Sequence, residues 1–376
     1  MRIVVIGPVY PYRGGIAHYT TQLSSNLTDV GHEIHIISFQ RQYPAWLYPG
    51  KSDKDPSQPL IELDSNYLLD PLYPWTWRTT FKDIIEFKPD LIIIPWWTTF
   101  WAPAFWALAK SLTKNGYDVC FLIHNVIPHE SKPWDRWIAR SVLQHGQAHI
   151  VQAKNEQERL LEILPDAQPV LCPHPVYNQF RAKPDLSKDL VFQLQGLDKD
   201  LPVLLFFGIV RPYKGLKYLV EALSILKSSG TIVQLIIAGE FWEKIEIYEE
   251  MIIRLDVYDQ VFLFDRYIPD EEVGIFFEEA DIFVAPYVDG TQSGTVKIAL
   301  GFHLPLVVTE CISDELIEDS DRVTIVPPKD SWALAEGIKN TIDSGFPERK
   351  INYQDNTGWE QLISTIEGII AVDKGT

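Results

Sequence analysis

The chain has 376 residues, 46% of them hydrophobic, and a formal net charge of −18. This length and apolar content suit two domains. A chain this acidic repels duplex nucleic acid and anionic membrane surfaces, because both bind proteins through a surplus of Lys and Arg. The charge is uneven: residues 1–180 carry 15 basic and 17 acidic side chains, and residues 181–376 carry 18 and 34. Three widely spaced cysteines predict reduced thiols in a cytoplasmic protein, without a disulfide framework or a zinc site.

Short apolar runs alternate with helical patterns from the first residues onward. The N-terminal MRIVVIG is too short and too weakly basic for a signal peptide, so it predicts the first strand. Strands are predicted in the first half at 3–6, 33–38, 91–94, 119–123 and 149–152, and in the second half at 203–207, 234–238, 261–264, 282–285, 306–308 and 324–326. Such alternation is typical of parallel sheets covered by helices on both faces. Two such series predict an α/β protein with two doubly wound, Rossmann-like domains.

The helical and strand periodicity lapses near 173–200, where Pro, Asp and Lys are frequent, and this predicts the join between the domains. We expect an N-terminal domain at 1–185 and a C-terminal domain at 186–355. The last segment, 356–376, has apolar residues at helical spacing and predicts an amphipathic helix. Residues 40–70 are a long insertion with Pro and Tyr, predicted as loops with a strand near 59–63.

Residues 91–109 lack any charge over a length that would suit a membrane helix. Pro95, Pro103 and the aromatic middle favour instead a strand at 91–94, a loop, and a helix from about 102. At the end of a strand, aromatic rings can stack on sugar faces or cover a greasy acceptor, or else pack in the core. The rings of this loop belong to Trp96, Trp97, Phe100 and Trp101.

The most informative stretch, FFGIVRPYKGLKYLVEAL at 206–223, joins a buried strand to a helix. The strand ends at Gly208, and the loop brings Arg211 and Lys214 to the start of the helix, where backbone N–H groups are unpaired. Two cations at a helix N-terminus predict an anion site that suits phosphate. The alternative is that both are surface cations.

A second loop rich in small residues, within APYVDGTQSGTVKIALGFHLP at 285–305, also follows a strand and precedes a helix. Its backbone amides predict a second anion site at the helix start. Asp289 is the acid nearest to this loop, either as a functional carboxylate or as an ordinary turn residue. Lys297, in the first helical turn, is either offset by a bound anion or a surface lysine. The predicted site comprises Gln292, Ser293, Gly294 and Thr295.

In the first half, two further features follow predicted strands. Gly14 and Gly15 precede a helix, so a ligand can approach their backbone, unless they form a plain strand-to-helix turn. His124 ends a strand in FLIHNVIPHE, where its imidazole can bond a phosphate or a sugar hydroxyl, or cap local backbone.

Other polar clusters carry less weight. His129 and Glu130 lack the helical spacing of a zinc protease, so we assign no metal. Asp319 and Asp321 form an Asp-x-Asp pair of the kind that binds a metal–diphosphate, but their polar surroundings are more typical of a solvated loop.

Together these motifs resemble the retaining glycosyltransferases of family 4, which have the GT-B architecture of two facing Rossmann-like domains. The resemblance covers nearly the whole chain. It implies transfer of a sugar from a nucleoside-diphosphate sugar to a glycan, lipid-linked or small-molecule acceptor, with retained anomeric configuration and no metal or other cofactor. The matching segments are the glycine pair, the histidine, FGIVRPYKG, LIIAGE at 235–240, ADIFVAPY at 280–287, PLVVT at 305–309 and the terminal GWEQLISTI.

The resemblance also implies roles for individual residues. Arg211 and Lys214 would hold the diphosphate and stabilise its leaving charge. Gly15 would line the cleft, and His124 would contact the transferred sugar. The terminal helix would pack back on the N-terminal domain.

Backbone groups complete the implied donor site. Amides of 292–294 would support the phosphates, and main-chain groups near Tyr267 and Ile268 would face the base. The family often approaches membranes through basic N-terminal helices, but here residues 1–180 are near neutral. We therefore expect a cytoplasmic protein, with at most a weak peripheral membrane contact through the aromatic loop.

The sequence departs from the family's pattern in two places. The family often carries a Glu-x7-Glu pair around the donor loop, and counting back from Pro305 those positions hold Gly290 and Ile298. Asp289 is a partial replacement for the first glutamate. The arginine comes two residues later than usual, because Ile209 occupies its place. The alternative to an active transferase is a non-catalytic nucleotide-sugar-binding or assembly protein that kept the fold.

Overall fold

The computed structural model describes residues 1–44, 46–48, 50, 52–128, 132–181, 194, 196–290, 293–312, 317, 320–346 and 358–373. The chain divides into two compact units, which we call unit 1 (Met1–Pro175 with Thr357–Thr376) and unit 2 (Val176–Asn356). In the described part of the chain, every helix is too short or too polar to cross a membrane.

Unit 1 contains a parallel sheet of seven strands in the order β3-β2-β1-β4-β5-β6-β7. The strands are β1 Arg2–Ile6, β2 Glu33–Phe39, β3 Ser65–Leu69, β4 Leu91–Trp96, β5 Val119–Ile123, β6 Ala148–Val151 and β7 Val170–Leu171. The helices between them are α1 Gly15–Asp29, α2 Pro74–Phe87, α3 Ala102–Lys114, α4 Asp135–Leu143 and α5 Lys154–Ile163, with a short 3-10 helix at Thr99–Trp101. The central strands β4 and β5 are buried throughout, which is why they are continuous apolar runs in the sequence.

The prediction for the 40–70 insertion is wrong in one respect. Its strand lies at Ser65–Leu69, rather than near 59–63, and pairs with β2 at the edge of the sheet. This edge strand is half exposed and contains Ser and Asn, so it lacks the apolar run that identified the inner strands. The strand and helix predicted within 91–109 are confirmed, with Pro103 in the first turn of α3.

Unit 2 contains a second parallel sheet, of six strands in the order β10-β9-β8-β11-β12-β13. The strands are β8 Val203–Phe207, β9 Gln234–Ala238, β10 Val261–Phe264, β11 Ile282–Ala285, β12 Leu306–Thr309 and β13 Val323–Val326. The helices are α6 Leu216–Ser228, α7 Glu246–Arg254, α8 Asp270–Glu279, α9 Gly294–Gly301 and α10 Ser331–Asp343, with short 3-10 helices at Gln179–Arg181, Pro212–Lys214, Tyr258–Gln260 and Glu310–Ile312. All six strands lie where the sequence predicts them, to within a residue.

The terminal helix α11, Trp359–Asp373, belongs to unit 1 and packs on α1. The rings of Trp359 and Tyr19 lie 5.3 Å apart, and His32 Nε2 lies 3.1 Å from a carboxylate oxygen of Glu367. The sequence-based expectations of two Rossmann-like α/β domains and of a terminal helix that returns to the N-terminal one are therefore confirmed.

Each sheet has one point at which the strand order reverses. In unit 1 the reversal lies between β1 and β4, and in unit 2 it lies between β8 and β11. The loops that leave the carboxyl ends of two such strands diverge and open a crevice, which is where open α/β sheets bind their ligands. From the strand order we therefore expect the loops after β8 and β11 to form the ligand site of unit 2.

Candidate functional site

The loops after β8 and β11 are joined by their backbones. Val288 N donates a hydrogen bond of 2.7 Å to Tyr213 O, and Gly208 N donates one of 2.8 Å to Ala238 O on the neighbouring strand. Gly208 has φ +101, a conformation that favours glycine. The chain after β8 is thus fixed from both sides at the point where the sheet order reverses.

Lys214 is the buried cation of this crevice. It ends the 3-10 helix after β8 and is only 8% exposed. Its Nζ lies against the backbone of Gly208, since a Cβ built at position 208 would come within 3.1 Å of it. Burial lowers the pKa of Lys214, but the hydroxyls of Tyr287 and Tyr213 more than offset this and hold the pKa above its ordinary value. The side chain is therefore a cation at neutral pH, and surface placement, the alternative left open by the sequence, is wrong for Lys214.

A cluster of three hydroxyl groups begins beside this lysine, at Tyr287. Tyr287 follows β11, and the Nζ of Lys214 lies 5.4 Å from the centre of its ring. The Tyr287 oxygen lies 3.0 Å from Ser293 Oγ and 3.3 Å from Thr295 Oγ1. Ser293 Oγ and Thr295 Oγ1 are 2.9 Å apart. Ser293 is also the N-cap of α9 and accepts a hydrogen bond from Val296 N. The buried ammonium, three hydroxyls and the N-terminus of a helix therefore converge on one point.

Arg211 extends the positive charge beyond Lys214. Its guanidinium carbon lies 5.6 Å from the centre of the Tyr213 ring and 5.5 Å from that of Trp242. Contacts between a guanidinium and ring faces fix its plane. Arg211 and Lys214 are thus both positioned by neighbouring aromatic residues.

The acidic candidate beside this cluster is a turn residue in this structure. Asp289 is exposed, and its Oδ1 accepts a hydrogen bond of 2.8 Å from Gly290 N. Gly290 has φ +154, and a Cβ at this position would lie 2.9 Å from Ile312 Cγ2. A glutamate at position 290 would therefore need a local rearrangement. Ile298, at the other position where the family often has glutamate, is buried.

The structure decides against one of the two alternatives that the sequence left open for Lys297. It is fully buried in α9, so the alternative of a surface lysine is wrong. Gln292 lies outside the described residues, as do His129, Glu130 and Asp319. The main-chain segment predicted to face a base follows β10: Ile268 is buried, and Tyr267 O accepts a hydrogen bond of 3.4 Å from Arg266 Nη1.

In unit 1, the glycine pair lies in open surroundings. Gly14 has φ +106, Gly15 begins α1, and a Cβ added at either position would meet no atom within 4 Å. There is therefore open space beside both α-carbons, and the role of this pair in ligand binding stays a prediction.

His124 lies inside unit 1. It is 5% exposed, and the Tyr19 ring lies edge-on to it at 4.6 Å. Burial lowers the pKa of His124 to about 3, an effect that the amide of Gln152 only partly offsets. Among the described residues its Nε2 finds no hydrogen-bond partner. The imidazole is therefore neutral at physiological pH and keeps one unused polar atom.

The aromatic loop after β4 is mostly core. Trp96 and Trp101 are fully buried, and Trp97 Nε1 donates a hydrogen bond of 3.0 Å to Tyr43 OH. The ring of Trp101 stacks on Phe39 at 4.1 Å. Of the alternatives left open for these rings, core packing is therefore confirmed for Trp96 and Trp101.

Sequence reasoning missed Tyr287 and Trp242, which hold the two cations. The signal for Tyr287 was available, because it directly follows the strand–proline end of β11 in the same segment as the small-residue loop. Trp242 follows β9 after Gly239, Glu240 and Phe241, and no motif marked it.

Comparison with known families identifies the chain. A family model described as Glycosyl transferases group 1 matches residues 201–344, and one described as Glycosyl transferase 4-like domain matches residues 14–173. The two matches fall on unit 2 and unit 1 and together cover most of the chain. The chain belongs to the group 1 glycosyltransferases.

Several solved structures are similar to this glycosyltransferase over its whole length. A glycosyltransferase from Rickettsia africae is 15% identical, with a TM-score of 0.71, over 100% of this chain and 99% of that one. Sucrose-phosphate synthase from Thermosynechococcus elongatus is 17% identical, with a TM-score of 0.69, over 99% and 97%. HepE from Anabaena is 14% identical, with a TM-score of 0.66, over 99% of both chains. These likenesses show that the enzyme has the GT-B fold.

No curated protein sequence matches that of this glycosyltransferase.

Proposed function

We propose that this glycosyltransferase moves a sugar from a nucleoside-diphosphate sugar to a carbohydrate or lipid-linked acceptor, with retention of anomeric configuration and without a metal ion. The observation that carries the proposal is the convergence of the Lys214 ammonium with the hydroxyls of Tyr287, Ser293 and Thr295 at the N-terminus of α9. A diphosphate is the donor group that fits a site built from a cation, hydroxyl donors and helix amides.

The chemistry follows from where charge develops during transfer. When the bond between the sugar and the diphosphate breaks, negative charge grows on the leaving phosphate. A buried ammonium stabilises that charge far more than an exposed one, because little water competes for it. Lys214 is buried against Gly208 and beside Tyr287 before the substrate arrives, so little reorganisation is needed during the reaction.

Arg211 supplies the second positive charge. Hydrogen bonds between a charged donor and phosphate contribute about 1.5–3 kcal/mol each. Together with Lys214 it balances the charge of a diphosphate, the part that a divalent cation takes in many other phosphate sites. This balance is the reason for proposing a mechanism independent of metal.

Two solved relatives support the choice of donor. HepE from Anabaena has been solved in complex with UDP-glucose, and an Escherichia coli protein described as trehalose-6-phosphate with UDP-2-fluoro glucose. By analogy, we assign a nucleoside-diphosphate sugar to this enzyme and leave the base and sugar to experiment.

On the side of unit 1, we assign Gly15 and His124 to the sugar. With a pKa of about 3, His124 is uncharged near neutral pH and is a poor general acid. Its contribution is then a hydrogen bond from or to a neutral imidazole. Its Nε2 has no partner among the described residues and is the atom that we assign to a hydroxyl of the sugar.

The test is a screen of nucleoside-diphosphate sugars against carbohydrate and lipid-linked acceptors, with and without EDTA. Proton NMR of the product anomeric signal reports the stereochemistry. We expect the product to keep the anomeric configuration of the donor and the rate to be unaffected by EDTA. An inverted product, or a rate lost in EDTA and restored by Mg²⁺ or Mn²⁺, would contradict the proposal.

The substitutions at the Glu-x7-Glu positions define the second candidate, a protein that binds nucleotide sugars without transferring them. Gly290 and Ile298 leave no carboxylate at either position. A thermal-shift series of nucleoside diphosphates and their sugars separates the two. Ligand at 100 times its dissociation constant adds about 2.7 kcal/mol of stability. Such stabilisation without product from any acceptor would favour the binding protein.

A further inference from the structure

Tyr19 on α1 is the centre of a buried group of side chains in unit 1. Its ring lies edge-on to that of His124 at 4.6 Å and to that of His174 at 4.9 Å, and it lies 5.3 Å from the Trp359 ring. Its hydroxyl accepts a hydrogen bond from Nε2 of Gln152. We call these five residues the Tyr19 cluster. Tyr19 is fully buried, and each of the other four is at most 5% exposed.

The members of the cluster come from separate parts of the chain. The two histidines and Gln152 follow the carboxyl ends of β5, β6 and β7, and the tryptophan begins α11. Tyr19 comes four residues after Gly15, so the two residues lie one turn apart on the same face of α1. Because the strands are parallel, their carboxyl ends lie at the edge where such sheets bind ligands. The cluster therefore connects His124 to the start of α1 at that edge.

Tyr19 determines the orientation of the Gln152 amide. Since Nε2 of this amide donates to the Tyr19 hydroxyl, Oε1 is left at the other end, where it has no hydrogen-bond partner among the described residues. The amide raises the pKa of His124 against the effect of burial. An acceptor oxygen has this effect, and an NH2 group would have the opposite one, because only the oxygen stabilises the protonated ring. Oε1 is therefore the end of the amide that acts on His124.

A neutral imidazole needs such a neighbour to bind a ligand in a defined way. It carries its proton on one ring nitrogen and accepts at the other, and its two tautomers exchange these roles. A carbonyl oxygen beside the ring favours the tautomer whose N–H faces it. At His124 the oxygen of Gln152 therefore favours one tautomer, and the edge-on contact with Tyr19 limits rotation of the ring.

We propose that Tyr19 and Gln152 are positioning residues for His124, which hold its neutral imidazole in one tautomer and one orientation. The use of that orientation rests on the proposed function, in which His124 contacts the sugar. A fixed tautomer gives the ring a fixed donor or acceptor role toward a sugar hydroxyl, whereas a mixture would leave part of the enzyme with the wrong atom at that hydroxyl. Neither Tyr19 nor Gln152 needs to touch the sugar for this effect.

Ordinary core packing is the alternative, and the polarity of the cluster argues against it. Burial of an amide, a phenol and two imidazoles costs free energy unless their hydrogen bonds are made, so a role in packing alone favours apolar side chains. Strand β5, which leads directly into His124, consists of such buried apolar residues. The polar side chains at its carboxyl end therefore indicate a role that requires them.

The experiment follows the ring nitrogens of His124 by 1H–15N NMR in the full chain labelled at histidine, with His124→Asn to identify its signals. The wild type should show one neutral tautomer whose shifts stay constant between about pH 5 and about pH 8, well above a pKa of about 3. A mixture of the two tautomers in the wild type, or a titration in this range, would overturn the proposal.

Two substitutions test the two positioning residues separately. Tyr19→Phe keeps the ring and removes the hydroxyl that holds Gln152, and Gln152→Leu removes the amide but keeps an apolar side chain in its place. In both variants His124 should stay neutral, because it remains buried. Its nitrogen shifts should move toward those of a mixture of the two tautomers. Unchanged shifts in both variants would overturn the proposal.

Tyr12→Phe is the matched control. It removes another buried hydroxyl of unit 1, which donates a hydrogen bond of 2.7 Å to Phe39 O at the end of β2. Strand β2 lies three strands from β5 in the sheet, so this variant should leave the His124 signals unchanged. An equal change in Tyr12→Phe and Tyr19→Phe would mean that the shifts report a general loosening of unit 1, and it would overturn the proposal.

Sugar transfer gives a second readout, which a purely structural role would not reproduce. In Tyr19→Phe, kcat/KM for the donor should fall roughly 2- to 10-fold, the effect of losing one neutral hydrogen bond. In a His124→Asn background the same substitution should have no further effect, because the imidazole that it positions is gone. Additive losses in the double variant would overturn the proposal. If His124→Asn transfers sugar like the wild type, the role of His124 in the proposed function fails, and the nitrogen shifts still decide whether Tyr19 and Gln152 position the ring.

Discussion

The α-carbon of Gly215 lies directly against the carbonyl oxygen of Pro286: a Cβ at position 215 would come within 2.0 Å of that oxygen. Gly215 joins the 3-10 helix that carries Lys214 to α6, and Pro286 directly precedes Tyr287. The two loops of the candidate donor site are therefore held together by a backbone contact that only glycine permits.

Gly215→Ala should destabilise unit 2 much more than an ordinary glycine substitution. Gly215 has φ +68 and no space for a methyl group, whereas Gly230 has φ +85 and open space around its α-carbon. Gly230→Ala therefore measures the conformational strain alone, about 1 kcal/mol. With the overlap added, Gly215→Ala should cost roughly 2–4 kcal/mol in urea-induced unfolding. Equal losses in the two variants would show that the loops are not held in this contact.

Tyr287→Phe should weaken the donor site while leaving the fold intact. The substitution removes the hydroxyl that contacts Ser293 and Thr295 and that helps to raise the pKa of Lys214, and it keeps the ring. Since hydrogen bonds to charged groups contribute about 1.5–3 kcal/mol, kcat/KM for the donor should fall roughly 10- to 100-fold. Tyr258→Phe, at a ring that is 65% exposed, is the control and should retain full activity. Full activity of Tyr287→Phe would show that the Tyr287 hydroxyl does not contribute to the donor site.

His124 should make stability depend on pH. Its folded pKa of about 3 lies below the unfolded value of about 6.5, so the unfolded state binds the proton more readily between these values. The stabilisation is therefore complete above about pH 6.5 and lost as the pH falls, by up to about 1.4 kcal/mol per unit.

The variant His124→Asn isolates this contribution from that of other titrating groups. Urea unfolding of both proteins between about pH 7 and pH 4 should give a shallower loss of stability in the variant. Identical slopes would mean that His124 is not held neutral inside unit 1.

Much of the donor side could be predicted from the sequence, because its signals are local. Gly208, which ends the strand, lies in the same stretch as Arg211 and Lys214. The apolar run before these residues and the helical spacing after them place them at the start of a helix. The same locality identifies Ser293 to Thr295 at the start of α9. What joins the two stretches is tertiary: the hydroxyl of Tyr287 meets Lys214 only because the sheet order brings β8 beside β11.

The sequence did not predict which individual side chains are buried. Lys297 and the exposed Trp137 both lie on helices, and composition alone would place the lysine outside and the tryptophan inside. His124 ends a strand as predicted, yet its environment depends on Tyr19 of α1. The short strand at Ser65–Leu69 was not predicted, because an edge strand needs no apolar run.

The most direct measurement of the donor-site assignment is the initial rate of sugar transfer by Lys214→Ala beside Lys217→Ala, with the donor that the screen identifies. Lys214 is buried among the hydroxyls, whereas Lys217 is exposed on the first turn of α6, so the two variants remove the same charge from different surroundings. Loss of one preorganised donor to a leaving anion costs about 10²- to 10³-fold in rate. We expect a loss of that size for Lys214→Ala and near wild-type transfer for Lys217→Ala. Undiminished transfer by Lys214→Ala would contradict the assignment of the diphosphate to this site.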